Sequence, residues 1–186
     1  MERLSLAESL LVAGVLCAVL ATAVVWIGRD ARRYAWLARF AVGFTFVVVV
    51  VGAFVRLNDA GLGCPDWPGC YGDLTPASAR HAIAQEEAAQ PSGPVTMAKA
   101  WKEMFHRYIA GLLGATLVAL AIVAWRARRG WQRSPWLATA VVGVVVLQGA
   151  FGAWTVTLLL KPAIVTGHLI GGLLTLSLLV WLAASA

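Results

Sequence analysis

The sequence predicts an all-α protein, a polytopic transmembrane helix bundle, and three observations carry that expectation. The chain of 186 residues is 60% hydrophobic and 13% charged, with a mean hydropathy of +0.78; soluble domains carry roughly 45–50% apolar and about 25% charged residues. Its apolar residues gather into segments close to the ~20 residues that one helical crossing takes. Its arginines gather in short clusters flanking those segments, as positive-inside topology requires. Those flanks account for the net charge of +6, so no nucleic-acid partner is needed.

Five spans are expected, at about 8–27, 38–55, 104–125, 136–158 and 163–182. Arg29, Arg32, Arg33 and Arg39 follow the first span against Asp30, and Arg126, Arg128, Arg129 and Arg133 follow the third. Both clusters then face the cytoplasm across the cell's inner (plasma) membrane. The stretch 56–103, rich in Pro, Gly, Asp and Glu, lies outside with the tight Lys161-Pro162 turn; the N-terminus is outside and the C-terminus inside. A cleaved signal peptide is the competing account of residues 1–27, because Ala21-Thr22-Ala23 resembles a cleavage site. Cleavage would strand the arginines outside, and Glu2 and Glu8 offset Arg3, so a retained helix is expected. Trp26, Trp36, Trp125, Trp131 and Trp136 fall near the inner boundary, and Trp101 and Trp154 near the outer one, as interfacial anchors do. Ala110 and Gly114, Gly149 and Ala153, and Gly167 and Gly171 are small pairs at four-residue spacing, expected at helix contacts.

His106 and His168 sit just inside the outer ends of two of these spans. An ionisable side chain at membrane depth is expensive and marks a functional site by default. Two imidazoles at one depth could grip one metal, and the large apolar partner that fits between lipid-embedded helices is a haem. The bland alternative is a pair of hydrogen-bonded packing histidines. Glu103, His106 and Arg107 share one helical face. There the imidazole can ligate iron, the arginine can pair with a haem propionate, and the carboxylate can handle protons or stabilise a cationic intermediate. A surface ion pair between Glu103 and Arg107, worth only about 0.3–0.5 kcal/mol, is the alternative for those two.

The outer stretch holds a second constellation, Gly61-Leu62-Gly63-Cys64-Pro65-Asp66-Trp67-Pro68-Gly69-Cys70. Two cysteines with prolines and glycines bending the chain between them can close a small disulfide loop in an oxidising space. A metal site of Cys64, Cys70 and His81 is the sharper alternative, short of a further ligand. His81 otherwise reads as a solvated loop residue, and Cys17, inside the first span, as a small hydrophobe.

Gly52-Ala53-Phe54-Val55-Arg56-Leu57, the Gly61–Gly72 stretch, Glu103-Met104-Phe105-His106-Arg107, Gln148-Gly149-Ala150-Phe151-Gly152-Ala153-Trp154-Thr155-Val156 and Thr166-Gly167-His168-Leu169 resemble the haem A synthase family over about 40–182. Members of that family oxidise the C8 methyl of haem O to the formyl of haem A for terminal oxidases. The resemblance implies that His106 and His168 hold haem iron, that Glu103 is the catalytic carboxylate, and that Cys64 and Cys70 pair as a redox-active or structural disulfide. Residues 38–186 would be a four-helix haem-binding half with the loop 56–103, and residues 1–37 one extra N-terminal transmembrane helix with its cytoplasmic loop.

Family members usually join two such halves, one for the substrate haem and one for a haem b that relays electrons, and this chain matches the first. Three functions follow as alternatives. One is a haem O-oxidising enzyme, completed by a second copy or a second half, using oxygen or water and an external electron acceptor or donor, and working beside haem O synthase or oxidase assembly factors. The others are a b-type haem electron carrier and a non-catalytic oxidase-assembly protein. The chain ends within a few residues of its fifth span with no basic flank, which reads as a truncation.

Overall fold

A computed structural model describes residues 6–28, 30–131 and 134–186, with side chains described from residue 14 onward. Glu2, Arg3, Arg29 and Arg133, and the side chain of Glu8, lie outside the described residues. Six helices follow one another: α1 Leu6–Ile27, α2 Ala31–Leu57, α3 Arg80–Ala89, α4 Met97–Trp131, α5 Trp136–Thr157 and α6 Pro162–Ser185. Four of these, α2, α4, α5 and α6, are long and apolar enough to cross a membrane, and Gly14–Ile27 of α1 is a shorter apolar helix. The helical polytopic bundle expected from composition is therefore the fold.

Local chemistry sets the helix ends. Asp30 caps α2 by accepting hydrogen bonds from the backbone N–H groups of Arg32 and Arg33 at 2.8 and 3.3 Å, relieving donors that a helix start leaves unpaired. Gly28 closes α1 with φ +55°, a conformation open to glycine at little cost. The valine run Val47–Val51 stays helical despite its β-branching, because in hydrocarbon a helix satisfies every backbone group internally. Between α5 and α6 the chain turns through Leu159 and Leu160, both at positive φ, and Pro162 starts α6 at a position where no N–H is needed.

The four long helices close into a ring. α2 packs on α4, α4 on α5, α5 on α6 and α6 back on α2, while α1 lies outside the ring against α4 and α2. Among the described residues, α4 and α6 make no direct packing contact, so they stand on one diagonal of the bundle. Buried Tyr34, Leu37, Ala38, Ala41, Leu117, Leu120, Val123, Val141, Leu179 and Leu182 form the core. The tilted ring pair Tyr34–Trp131, with centroids 5.0 Å apart, brings the start of α2 beside the end of α4. Both described arginine clusters therefore share one end of the bundle, with Trp26, Trp36, Trp125 and Trp136 paired there.

Two expectations shift. The third span begins at Met97 and not near 104, because the polar run through Lys102, Glu103 and Arg107 is helical and continuous with the apolar part. The stretch between α2 and α4 is not plain loop either. It contains α3 and a small core of Cys64, Cys70, Ala79, Ile83, Val95, Ala100 and Met104 seated on the first turns of α4. His81 lies exposed on α3, solvated as expected but on a helix.

Candidate functional site

His106 projects from α4 and His168 from α6, the diagonal pair, and each ring rests against a glycine of a neighbouring helix. A Cβ added at Gly52 of α2 would stand 2.9 Å from Cε1 and 3.2 Å from Nε2 of His106; one added at Gly152 of α5 would stand 3.6 Å from Cε1 of His168. The two imidazoles are close enough to interact electrostatically. Nδ1 of each is buried with no hydrogen-bond partner among the described residues, so neither is the hydrogen-bonded packing histidine of the bland alternative. A buried polar atom left unpaired costs roughly 1–3 kcal/mol, and two of them mark a place where another group belongs.

The small-residue pattern identified contacts only in part. Gly114 and Gly149 have nothing within 4 Å of an added Cβ, so neither is a close-packing site in this chain. Gly167 does admit a neighbour, the ring of Phe151, and Gly171 is covered by the carboxamide of Gln148. The residues that touch the histidines, Gly52 and Gly152, were present in the motifs but carried no separate signal. Four-residue spacing from Gln148 to Gly152 was the available clue.

Above the histidines, Glu103 and Arg107 hold the loop onto α4. Glu103 is 5% exposed; its Oε1 accepts from Arg107 Nη2 at 2.5 Å and its Oε2 accepts from the Cys64 backbone N–H at 2.9 Å. Arg107 Nη1 donates to the carbonyls of Asp66 and Gly69 at 2.8 and 2.6 Å. The pair is thus buried, not the surface pair weighed above, and buried charges need such full hydrogen bonding. Gly63 permits the close approach, since a Cβ there would stand 2.7 Å from the backbone of Lys99 and Ala100.

Cys64 and Cys70 form a disulfide. Inside their loop, Asp66 accepts from the N–H groups of Tyr71 and Gly72, each at 2.7 Å, a role that sequence reasoning missed. Burial, reinforced by the Glu86 and Asp66 carboxylates, pushes the Tyr71 phenol above its ordinary pKa, which keeps it neutral. No group of three or more metal-ligating side chains occurs among the described residues, and the Cys64, Cys70 and His81 metal alternative falls with the disulfide. Cys17 is exposed on the outer surface of α1. In a Cys17→Ser background, maleimide is expected to label Cys64 and Cys70 weakly before reduction and strongly after it; free labelling without reductant would contradict the pairing.

A polytopic helical membrane protein with two buried histidines on diagonal helices, below a disulfide-closed loop, is the class these features define. Residues 34–186 match the family described as cytochrome oxidase assembly protein, COX15-CtaA, and the chain belongs to that family. It is 41% identical over 147 residues to a haem A synthase of Shewanella oneidensis, covering 79% of this chain and 44% of that protein. A haem A synthase of Caulobacter sp. is 30% identical over 187 residues, covering 95% and 52%. One of Rhizorhabdus wittichii is 31% identical over 168 residues, covering 78% and 47%. The chain spans about half the length of these curated relatives. No solved structure matches it.

Proposed function

We propose that this chain forms one haem-binding half of a haem A synthase, in which the C8 methyl of haem O is oxidised to the formyl of haem A. One observation carries the reading: His106 and His168, on the diagonal helices α4 and α6, each have a buried Nδ1 atom with no hydrogen-bond partner among the described residues. Two neutral imidazoles are a haem-iron donor set, and the bare faces of Gly52 and Gly152 beside them suit a flat macrocycle. The bound iron porphyrin would supply the redox chemistry. Oxygen for the formyl group comes from dioxygen or water: with dioxygen an external donor supplies the electrons that reduce the second oxygen atom to water, and with water an external acceptor takes the electrons released.

The chain's own residues have separate tasks. His106 and His168 hold and orient the ring. Arg107 supplies positive charge for the propionates while staying on the loop carbonyls, since guanidinium carries five donors and its Nε–H makes no bond among the described residues. Glu103 is the acid–base group nearest His106 on the same helix face. The loop and its disulfide exclude water above the site. A haem b in a second half or a second copy would relay electrons, and haem O synthase and oxidase assembly factors are the partners that deliver substrate and take product. By the arginine count, the disulfide end faces away from the cytoplasm of the plasma membrane.

A b-type electron carrier is the second reading, and it is favoured by the engagement of both Glu103 oxygens with Cys64 and Arg107, which accounts for the buried carboxylate as a loop anchor with no catalytic role. Supplying haem O, dioxygen and a reductant to membranes containing the chain, then extracting pigments for chromatography, separates the two. Haem A is expected from the enzyme; stable haem binding with no haem A, even alongside a second half, would favour the carrier. Gly52→Val should cut haem content at least severalfold by driving a methyl into the His106 ring, measured as pyridine haemochrome per protein; unchanged content would contradict the site.

A further inference from the structure

One turn further from the disulfide end, the bundle holds a polar group that nothing above uses. Gln148 precedes Gly152 by four residues on α5, and Gly171 and Gly172 follow His168 by three and four on α6. The same helical faces therefore carry a second layer about 5 Å below the histidines. In that layer the Gln148 carboxamide lies directly over Gly171, where any added Cβ would collide with it, and its Oε1 lies 3.9 Å from the Cβ position of Gly172, next to Val49 of α2. The carboxamide makes no hydrogen bond among the described residues. Gln148 is half-buried, and a polar side chain beside Val49 and two glycines, within an apolar membrane helix, marks function by default.

We propose that Gln148 is a specificity-determining residue of the haem site, hydrogen-bonding the ring-edge hydroxyl that haem O carries and haem b lacks; this rests on the haem-binding reading above. A carboxamide both donates and accepts, which matches a hydroxyl in either sense. Its layer lies on the side of the histidines away from Arg107, so propionates and hydroxyl would meet opposite ends of the site. A group placed to bond a ligand hydroxyl discriminates against the analogue without it, because the polar atom is then left unpaired. Two bare glycines keep the amide's position open, and this gives Gly171 a reason that helix packing alone does not.

Soret titration of the full chain in lipid nanodiscs, with haem O and haem b separately, reads the preference directly. The wild type is expected to bind haem O more tightly, and Gln148→Met to lose about three- to tenfold of haem O affinity, the worth of one neutral hydrogen bond in a membrane protein, with haem b affinity unchanged. Gln148→Asn, which keeps the amide but withdraws it by one methylene, should lose part of the preference and serves if the methionine variant does not fold. An unchanged affinity ratio in a folded variant, or equal affinities in the wild type, overturns the role of Gln148 and leaves histidine ligation standing. Failure of the wild type to bind either haem overturns the haem-site reading itself.

Discussion

The His106→Ala, His168→Ala double variant is expected to purify without haem, while each single variant retains a reduced fraction with an altered Soret band. The expected effect is the largest of any substitution here, because it removes both side chains proposed to ligate the iron. Neither change should unfold the bundle. The core of Leu117, Leu120, Val123, Val141 and Leu179 lies well away from both rings, and each alanine removes a buried nitrogen that has no protein partner. Helical circular dichroism near the wild-type value, together with absent pyridine haemochrome, is the expected pair of results. Full haem occupancy in the double variant would remove the site.

The second large effect belongs to Glu103, where two substitutions separate structure from chemistry. Glu103→Ala leaves the Arg107 guanidinium without its counter-charge and the Cys64 N–H without its acceptor. Breaking a buried pair from one side costs about 3–5 kcal/mol, somewhat less here because Arg107 keeps the Asp66 and Gly69 carbonyls. The loop should then lift from α4, seen as faster proteolysis between residues 58 and 96. Glu103→Gln keeps one acceptor oxygen, enough for either the Arg107 guanidinium or the Cys64 N–H, turns the other oxygen into an amide donor, and removes the charge and the exchangeable proton while preserving side-chain shape. If Glu103 acts in methyl oxidation, the glutamine variant should hold haem and loop but make no haem A, since a group acting on the barrier affects turnover more than binding. Wild-type haem A yield from Glu103→Gln would reduce the residue to an anchor for the loop.

How much of this could be read from the chain alone follows from the range of the forces involved. Four of the five expected spans and the shared arginine end are properties of composition and flanking charge, and they were legible; the first expected span is a shorter apolar helix among the described residues. The histidine pair was legible because ionisable groups are rare at membrane depth. What Arg107 and Glu103 touch was not, since their partners Cys64, Asp66 and Gly69 lie about forty residues away in sequence and no local periodicity reports such a contact. Nor was the small core under α3, because alanine and isoleucine at Ala79 and Ile83 gave no helical stripe within a stretch of turn formers. Gly149 and Gly152 show the remaining ambiguity: both sit in one motif, and only the rotation of α5 about its axis decides which meets His168.

The continuity of α4 carries a mechanical consequence. Thirty-five residues without a break make a rod of about 52 Å, far longer than the ~30 Å hydrocarbon layer. Since the disulfide loop is clamped to its first turns and His106 lies nine residues past Met97, the distance from loop to imidazole is fixed by helix rise, at about 14 Å. Bilayer thickness cannot alter it. A thinner or thicker membrane must be accommodated by tilt, or by displacement at the opposite, arginine-bearing tip, so the roofed end behaves as one rigid assembly whose depth in the membrane is decided elsewhere.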